Sequence, residues 1–385
     1  MEDVYVVGVG MDRFGRFPDK SFIDHGVVAA GAALDDAGVE WRDVGALYCG
    51  AANVGIIPGN RVVDELGRNG AEIVNVDNAS ASGASAFRQA CLAVAEGRTP
   101  IAMAVGVGKM QRDAFGANMA GWLGGGEQAV RRLVATGMIQ PAAVFAMVAR
   151  RRMHETGCDP TIFARVAVKS HRHGALNPYS HFQKEVTLEE VLASRMVADP
   201  LRLLDCCPTS DGGAAAVVAT RAVAERLGGR PLVRVLASQA ASDIHLHEPW
   251  GDAILTRAVA ARAYEEAGVG AADLDLFQVH DAFSSEEIEY YEALDICGPG
   301  EAEKLVLEGA TEIGGRIPCN TDGGLLSRGH PLGPTGLAQI WETVVQLRGQ
   351  AGPRQVDGAR TGLIQLIGAG NVCLVHILQR VANPA

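Results

Sequence analysis

A short stretch of this chain is written twice. The run Ala33-Leu-Asp-Asp-Ala-Gly-Val39, followed by Asp43-Val44, is echoed by Ala263-Tyr-Glu-Glu-Ala-Gly-Val269, followed by Asp273-Leu274, at a constant offset of 230 residues. A helix closed by glycine and followed by a strand is a common unit, so the echo alone constrains little. Its flanks constrain more. The apolar stretch 4–9 stands before the first copy as 232–237 stands before the second, and each copy runs on into a new apolar stretch, 46–48 or 276–279. Matched flanks on both sides point to an internal duplication rather than to chance. The expectation is an α/β fold of two similar halves, each a sheet covered by helices, packed about a pseudo-two-fold axis.

Local patterns fill in the first half. Residues 4–9 read as a buried strand, 25–37 as a helix with Gly38 in the C-cap role, 72–76 as a strand, 82–95 as an alanine-rich helix and 101–107 as another buried strand. Residues 109–205 fit neither copy and read as an inserted, mostly helical segment. It carries a charge of +4 against −15 for the remainder. The expected division is 1–108 with 206–228 as one half, 109–205 as an inserted loop or cap domain, and 229–385 as the other half, in keeping with the two or three domains that 385 residues suggest.

Composition removes several classes of function. With 48% hydrophobic and 21% charged residues the chain has the make-up of a soluble enzyme with a large core. A net charge of −11 disfavours nucleic acid as a partner, while the basic insertion either receives an anionic, nucleotide-bearing ligand or presents a solvated helix face. No apolar run approaches the roughly 20 residues that span a bilayer, and no basic stretch precedes an apolar one at the start, so the expected location is the cytoplasm. Eight scattered cysteines without a Cys-x-x-Cys pair argue against both a disulfide framework and a zinc site, and Cys206 and Cys207 read as small buried side chains. Gly124-Gly125-Gly126 follows no strand in a phosphate-binding pattern. The histidines at 171, 173, 181, 245 and 247 lack the spacing of a helical metal pair, so no metal is expected.

Chemistry-bearing residues gather at turns. Residues 323–336 read Gly-Gly-Leu-Leu-Ser-Arg-Gly-His-Pro-Leu-Gly-Pro-Thr-Gly, a run of glycine and proline that makes a shaped loop, with His330 its group able to change charge near neutral pH. A helix is expected over 337–347. Ser80, in Asp77-Asn-Ala-Ser80-Ala-Ser82-Gly83, lies on a strand-to-helix turn with a glycine behind it, an arrangement that presents a nucleophile at a helix N-terminus. The matching turn of the second half is Asn320-Thr-Asp-Gly-Gly324, so Ser80 and His330 are expected to face one cavity. His280-Asp281-Ala282-Phe283 ends a strand, and Gly368-Ala-Gly370 lies between two apolar strands where backbone N–H groups are approachable. Two histidines and backbone donors converging on a turn suit stabilisation of a thioester enolate or oxyanion.

The 323–336 loop, Val279-His-Asp-Ala-Phe283, Asn177-Pro-Tyr-Ser180 and Cys206-Cys-Pro-Thr-Ser-Asp-Gly212 together resemble the thiolase superfamily over nearly the whole chain, most of all its sterol-carrier-protein-x and lipid-transfer-protein types. The resemblance implies a duplicated five-layer α/β/α/β/α fold with a loop domain, a homodimer or higher oligomer, and coenzyme A thioesters as substrates with no bound cofactor. It implies that His330 activates the nucleophile and polarises the thioester, that His280 positions water or an oxyanion, and that the backbone of Gly368 and of residue 80 forms an oxyanion hole. Asp281 and Gly324 join Gly368 as the expected oxyanion-hole or substrate-binding residues.

Two positions depart from the family pattern. Classical thiolases read Cys-Ala-Ser-Gly where this chain has Ser80-Ala81-Ser82-Gly83, and the second cysteine, or its variant position, is here Leu366 or Ala282. A hydroxyl ionises far less readily than a thiol, whose ordinary pKa is about 8.5. The first expectation is therefore an aldolase or retro-aldolase acting on a lipid or steroid side-chain acyl-CoA, with His330 or His280 as base. The alternatives are an acetyl-CoA acyltransferase in which Ser80 is either a natural nucleophile or an introduced Cys-to-Ser change, and a non-catalytic lipid or acyl-CoA binding protein. Some relatives lacking the second cysteine work with a small OB-fold, zinc-ribbon protein, and such a partner is expected.

Overall fold

The computed structural model describes residues 2–110, 141–242, 251–369 and 372–382. Gly124–Gly126, His245, His247-Glu248 and Gly370 lie outside them. In chain order the first half contributes β1 (Val4–Met11), α1 (Phe22–Ala37), β2 (Ala46–Ala51), α2 (Pro58–Leu66), β3 (Glu72–Val76), α3 (Ser82–Ala95) and β4 (Ile101–Gly108). Helices α4 (Pro141–Thr156), α5 (Thr161–Ala175) and α6 (Leu188–Ala193) come next, with a small hairpin of β5 (Met196–Ala198) and β6 (Leu201–Arg202). The chain then forms β7 (Gly212–Thr220), α7 (Arg221–Leu227), β8 (Leu232–Ser242), α8 (Asp252–Ala267), β9 (Leu276–Gln278), α9 (Ser284–Ala293) and α10 (Ala302–Leu307). It closes with α11 (Gly324–Ser327), α12 (Thr335–Leu347), β10 (Thr361–Gly368) and β11 (Val372–Val381).

Strand order makes the duplication explicit. Reading outward from the centre, β1 pairs β7, then β4, β2 and β3; β8 pairs β11, then β10 and β9, and Cys319 bridges Phe277 of β9 in parallel where β3 would stand. The pairings run antiparallel, antiparallel, parallel, parallel on both sides. The two sets meet through Tyr5↔Arg234 and Val6↔Val233, so the expected pair of sheets is continuous at this seam. The echo itself holds at equal geometry: α1 and α8 both end on a left-handed glycine, Gly38 at φ 66° and Gly268 at φ 67°.

The layers arise from the period-two alternation of strands whose two faces are both buried. In β2 and β4, Leu47, Cys49, Met103 and Val105 face α1, whereas Ala46, Tyr48, Ala102 and Ala104 face inward to α3 and α12. On the far side of the second sheet, Cys373, Val375 and Ile377 meet Val259 and Ala263 of α8. The order is thus α1, first sheet, the α3 and α12 layer, second sheet, α8. The two central helices approach closely because glycine stands at the crossing: a Cβ on Gly83 would lie 2.4 Å from the Gly333 carbonyl oxygen, and one on Gly336 2.7 Å from the Ala84 nitrogen. Helix α1 begins three residues earlier than expected, capped by the Ser21 hydroxyl on the Asp24 N–H. Cys206 and Cys207 are half-buried rather than buried. No helix among the described residues is long and apolar enough to cross a membrane.

Candidate active site

The turn that carries Ser80 is tightly wired. After β3, Ala79 takes φ 50°, unusual for a residue with a side chain, and a single tight turn over Ala79–Ala81 runs into α3. The Ser82 hydroxyl donates to the Ala79 carbonyl at 2.7 Å and accepts from the Asn78 N–H at 2.9 Å, while the Asn78 amide donates to Ser85 at 2.8 Å. Ser82 therefore clasps the turn, and Ser80 stands free at the start of the helix with 6% of its surface exposed.

The counterpart turn is built differently. Asn320 also takes φ 50°, but its side chain accepts from the Val279 N–H at 2.9 Å and donates to Glu287 at 3.1 Å. The loop beyond it is pinned from below by Arg328, which is fully buried and ion-paired with Asp322. It is pinned from the side by the Asn177-Pro-Tyr-Ser180 segment, where the Asn177 amide and Ser180 hydroxyl both donate to the Asp322 carbonyl, at 3.0 and 3.1 Å. The backbone N–H groups of His181 and Phe182 add bonds to the carbonyls of Arg328 and Ser327. Gly329, at φ 108°, leaves no room for a side chain beside Ser210.

These supports bring His330 onto Ser80: the His330 Nε2 lies 3.0 Å from the Ser80 Oγ. The other ring nitrogen settles the tautomer. The Thr335 hydroxyl donates its single proton to the Pro331 carbonyl at 2.7 Å, so it must accept from His330 Nδ1, 2.9 Å away. Nδ1 then carries the hydrogen and Nε2 presents its lone pair to the Ser80 O–H. Burial pushes the His330 imidazole well below the usual histidine range, with His280 and Arg328 adding to the shift, so the ring is neutral at physiological pH. A hydroxyl, a neutral imidazole and an orienting hydroxyl in line can deliver an activated nucleophile.

His280 stands beside this pair, its ring 5.2 Å from that of His330 at 82°. Gly368 packs directly on the Ser80 turn: a Cβ there would lie 2.1 Å from the Asn78 carbonyl oxygen and 3.2 Å from the Ala81 nitrogen. Asp281 and Gly324 lie at the base of the His330 loop. The Asp281 carboxyl accepts from the Leu325 N–H at 2.7 Å, and the Gly324 N–H is already given to Asp322 at 3.0 Å. A Cβ on Gly324 would strike Asp281, so the two fit together in shaping α11, while Asp281 Oδ2 has no hydrogen-bond partner among the described residues. Burial, with Glu287 nearby, pushes the Asp281 carboxyl well above its ordinary range.

The thiols offer no rival nucleophile. Cys91, further along α3, lies in the apolar cluster with Phe87, Ala90 and Leu337, where burial pushes its thiol up and disfavours the thiolate. Leu366 fills its position with an apolar side chain against Ala81 and Ala84. Two histidines of the inserted segment serve structure: His173 bonds the Asn320 carbonyl and the Ile313 N–H, and His181 bonds Ser210. No group of three or more His, Cys, Asp or Glu among the described residues is arranged to hold a metal. Sequence patterns gave no notice of Thr335 or of Glu286, which bonds His280. Glu286 lies on a helix that also buries Glu287, Tyr290 and Tyr291, so its charge does not mark an exposed polar face.

A duplicated five-layer α/β fold that aims a base at a residue on the α3 turn defines a class. Residues 4–222 match the family described as Thiolase, N-terminal domain, and residues 239–380 match Thiolase C-terminal domain-like. The chain is 38% identical over 388 residues to an acetyl-CoA acetyltransferase from Methanothermobacter thermautotrophicus, covering 99% of this chain and 100% of that protein. It is 35% identical over 388 residues to sterol carrier protein 2 of Bos taurus, covering 97% of this chain and 72% of that one. Among solved structures, the Ltp2-ChsH2(DUF35) aldolase superposes with a TM-score of 0.84 at 29% identity over 98% of each chain. The chain belongs to the thiolase superfamily, whose enzymes act on carbon–carbon bonds of acyl-CoA thioesters.

Proposed function

We propose that this enzyme is an acyltransferase of the acetyl-CoA acyltransferase type in which Ser80 takes the place of the cysteine nucleophile. The observation that carries this reading is the 3.0 Å approach of Ser80 Oγ to a His330 Nε2 whose lone pair is fixed by Thr335. Oγ would attack the 3-keto carbon of a 3-ketoacyl-CoA while Nε2 takes its proton, and coenzyme A would then receive the acyl group. The N–H groups of the Ser80 turn and of Gly368 would hold the developing oxyanion. The relatedness to an acetyl-CoA acetyltransferase along its full length supports the same reading.

A second reading keeps the substrate class and changes the bond chemistry: retro-aldol cleavage of a 3-hydroxyacyl-CoA with a lipid or steroid side chain, with a histidine taking the hydroxyl proton. The serine itself and the similarity to the Ltp2-ChsH2(DUF35) aldolase favour it. That similarity also supports a small OB-fold, zinc-ribbon partner protein and, with the family, a homo-oligomer; co-purification from the native host tests the partner. Assays of the purified enzyme on paired 3-ketoacyl- and 3-hydroxyacyl-CoA substrates separate the readings. Coenzyme A-dependent cleavage of the keto substrate, raised further in Ser80→Cys, supports acyl transfer; cleavage of the hydroxy substrate alone contradicts it.

A further inference from the structure

Acyl transfer through Ser80 leaves one proton unassigned. When the Cα–Cβ bond breaks, the thioester leaves as an enolate that must be protonated at Cα, and the incoming thiol must later lose a proton. His330 cannot serve, because it holds the Ser80 proton until the acyl group departs. Leu366 and Ala282 carry no ionisable group.

His280 has what the task needs. It is 4% exposed, its ring meets His330 edge to face, and its Nε2 is buried without a hydrogen-bond partner among the described residues. Its other end is fully engaged: Nδ1 lies 3.0 Å from Glu286 Oε1, and the backbone N–H donates to the Gln365 side chain at 3.0 Å. Glu286, 2% exposed, also receives the Tyr290 hydroxyl at 3.1 Å and the Phe283 N–H at 3.0 Å. Three donors hold this carboxylate in one orientation. With Nδ1–H given to Glu286, a neutral His280 presents the Nε2 lone pair, and when Nε2 is protonated the carboxylate behind it offsets the charge.

We infer that His280 Nε2 is the second acid–base group of the site, moving the proton at the Cα of the thioester, and that Glu286 is the residue that positions it. The inference rests on acyl transfer through Ser80 and completes its balance. The Ser80 O–H gives its proton to His330 as Oγ bonds the 3-keto carbon. The Cα–Cβ electron pair passes to the thioester as its enolate, and Cα takes the proton from protonated His280, releasing the shortened acyl-CoA. Neutral His280 then takes the thiol proton of the incoming coenzyme A, sulfur attacks the acyl carbon, and Oγ leaves with the proton held on His330. Both histidines end as they began, and no oxidant or reductant enters.

The test monitors exchange of the acetyl-CoA methyl protons in D2O by proton NMR, with the full-length enzyme. The wild type is expected to exchange them, and His280→Gln to slow exchange by about 100-fold or more. Glu286→Gln is expected to slow it by about tenfold while acetyl-CoA affinity stays within about threefold, a split that a packing defect would not give. A wild type that exchanges nothing, or a folded Glu286→Gln or His280→Gln protein that binds acetyl-CoA and exchanges at the wild-type rate, overturns the inference. Glu286→Gln, nearly isosteric, decides the matter alone if His280→Gln is insoluble. Exchange that depends on His280 in an enzyme forming no acyl adduct on Ser80 would sink the acyl-transfer reading and leave this one standing.

Discussion

The Ser80 turn and the Asn320 turn occupy equivalent places in the two halves, and they differ in the path the chain takes beyond them. Each has a residue with a side chain at φ 50°, Ala79 or Asn320, at the end of the third strand position. In the first half the chain enters α3 at once. In the second it makes a detour, through α11 and the Gly329-His330-Pro331 corner, before α12 begins at Thr335. The detour returns His330 across the axis to Ser80. The two halves thus hold two similar turns, and the longer connection in one of them brings a histidine against the hydroxyl carried by the other.

The comparison is broken most severely by removing what the detour delivers. His330→Ala is expected to lower turnover by about 10²–10⁴-fold while the protein remains folded, measured as kcat and kcat/KM on a 3-ketoacyl-CoA.

Acid comes next, because the detour side of the molecule is lined with neutral histidines. Burial holds His173, which bonds Asn320, at about 3, and holds His330 well below its usual range. His376, on β11, is likewise held at about 3. These values are depressed, so below an unfolded pKa of about 6.5 the unfolded chain binds more protons. The stability they contribute is complete above that pH and is lost as pH falls toward 3, at a limit of about 1.4 kcal/mol per pH unit for each group. Urea melts from pH 8 to pH 4 should show the decline starting near the unfolded value. His330, by contrast, remains a base through pH 6.5, so its own protonation should not lower the acylation rate there.

Gly83→Ala probes the crossing of the two central helices, where the new methyl would meet the Gly333 carbonyl. A loss of about 1–3 kcal/mol is expected in denaturant unfolding. The smallest effects compare the turns directly. Asn320→Gly relaxes the same φ as Ala79→Gly, yet it abandons the bonds to Val279 and Glu287. A loss of about 1–3 kcal/mol is expected for the former, and a change from neutral to about 1 kcal/mol stabilising for the latter. Equal responses would mean that the two turns are held alike.

Much of this was legible in the chain. The duplication, strands β1, β3 and β4, helices α1, α3 and α12, the Ser80 turn and the His330 loop all come from local periodicity, from glycine where backbones must approach, and from the 230-residue offset, whereas the central strand β7 was not read. The seam between the sheets was not, because the pairing of β1 with β8 joins residues more than two hundred positions apart with no local signal. Thr335 and Glu286 were also hidden. Their importance lies in which nitrogen of a histidine they hold, and only the folded arrangement determines that. Asp281 and Gly324 show the converse: they sit in the richest motifs, and the fold uses them to build the loop.

The central claim is that Ser80 is acylated with His330 as its base, and intact-protein mass spectrometry after rapid mixing with acetoacetyl-CoA addresses it most directly. The account predicts a mass gain of one acetyl group, mapped to the peptide containing Ser80, absent in His330→Ala and discharged by added coenzyme A. Turnover of the substrate by the wild type with no adduct on Ser80 at any time, or an adduct that forms as fast in His330→Ala as in the wild type, would contradict it.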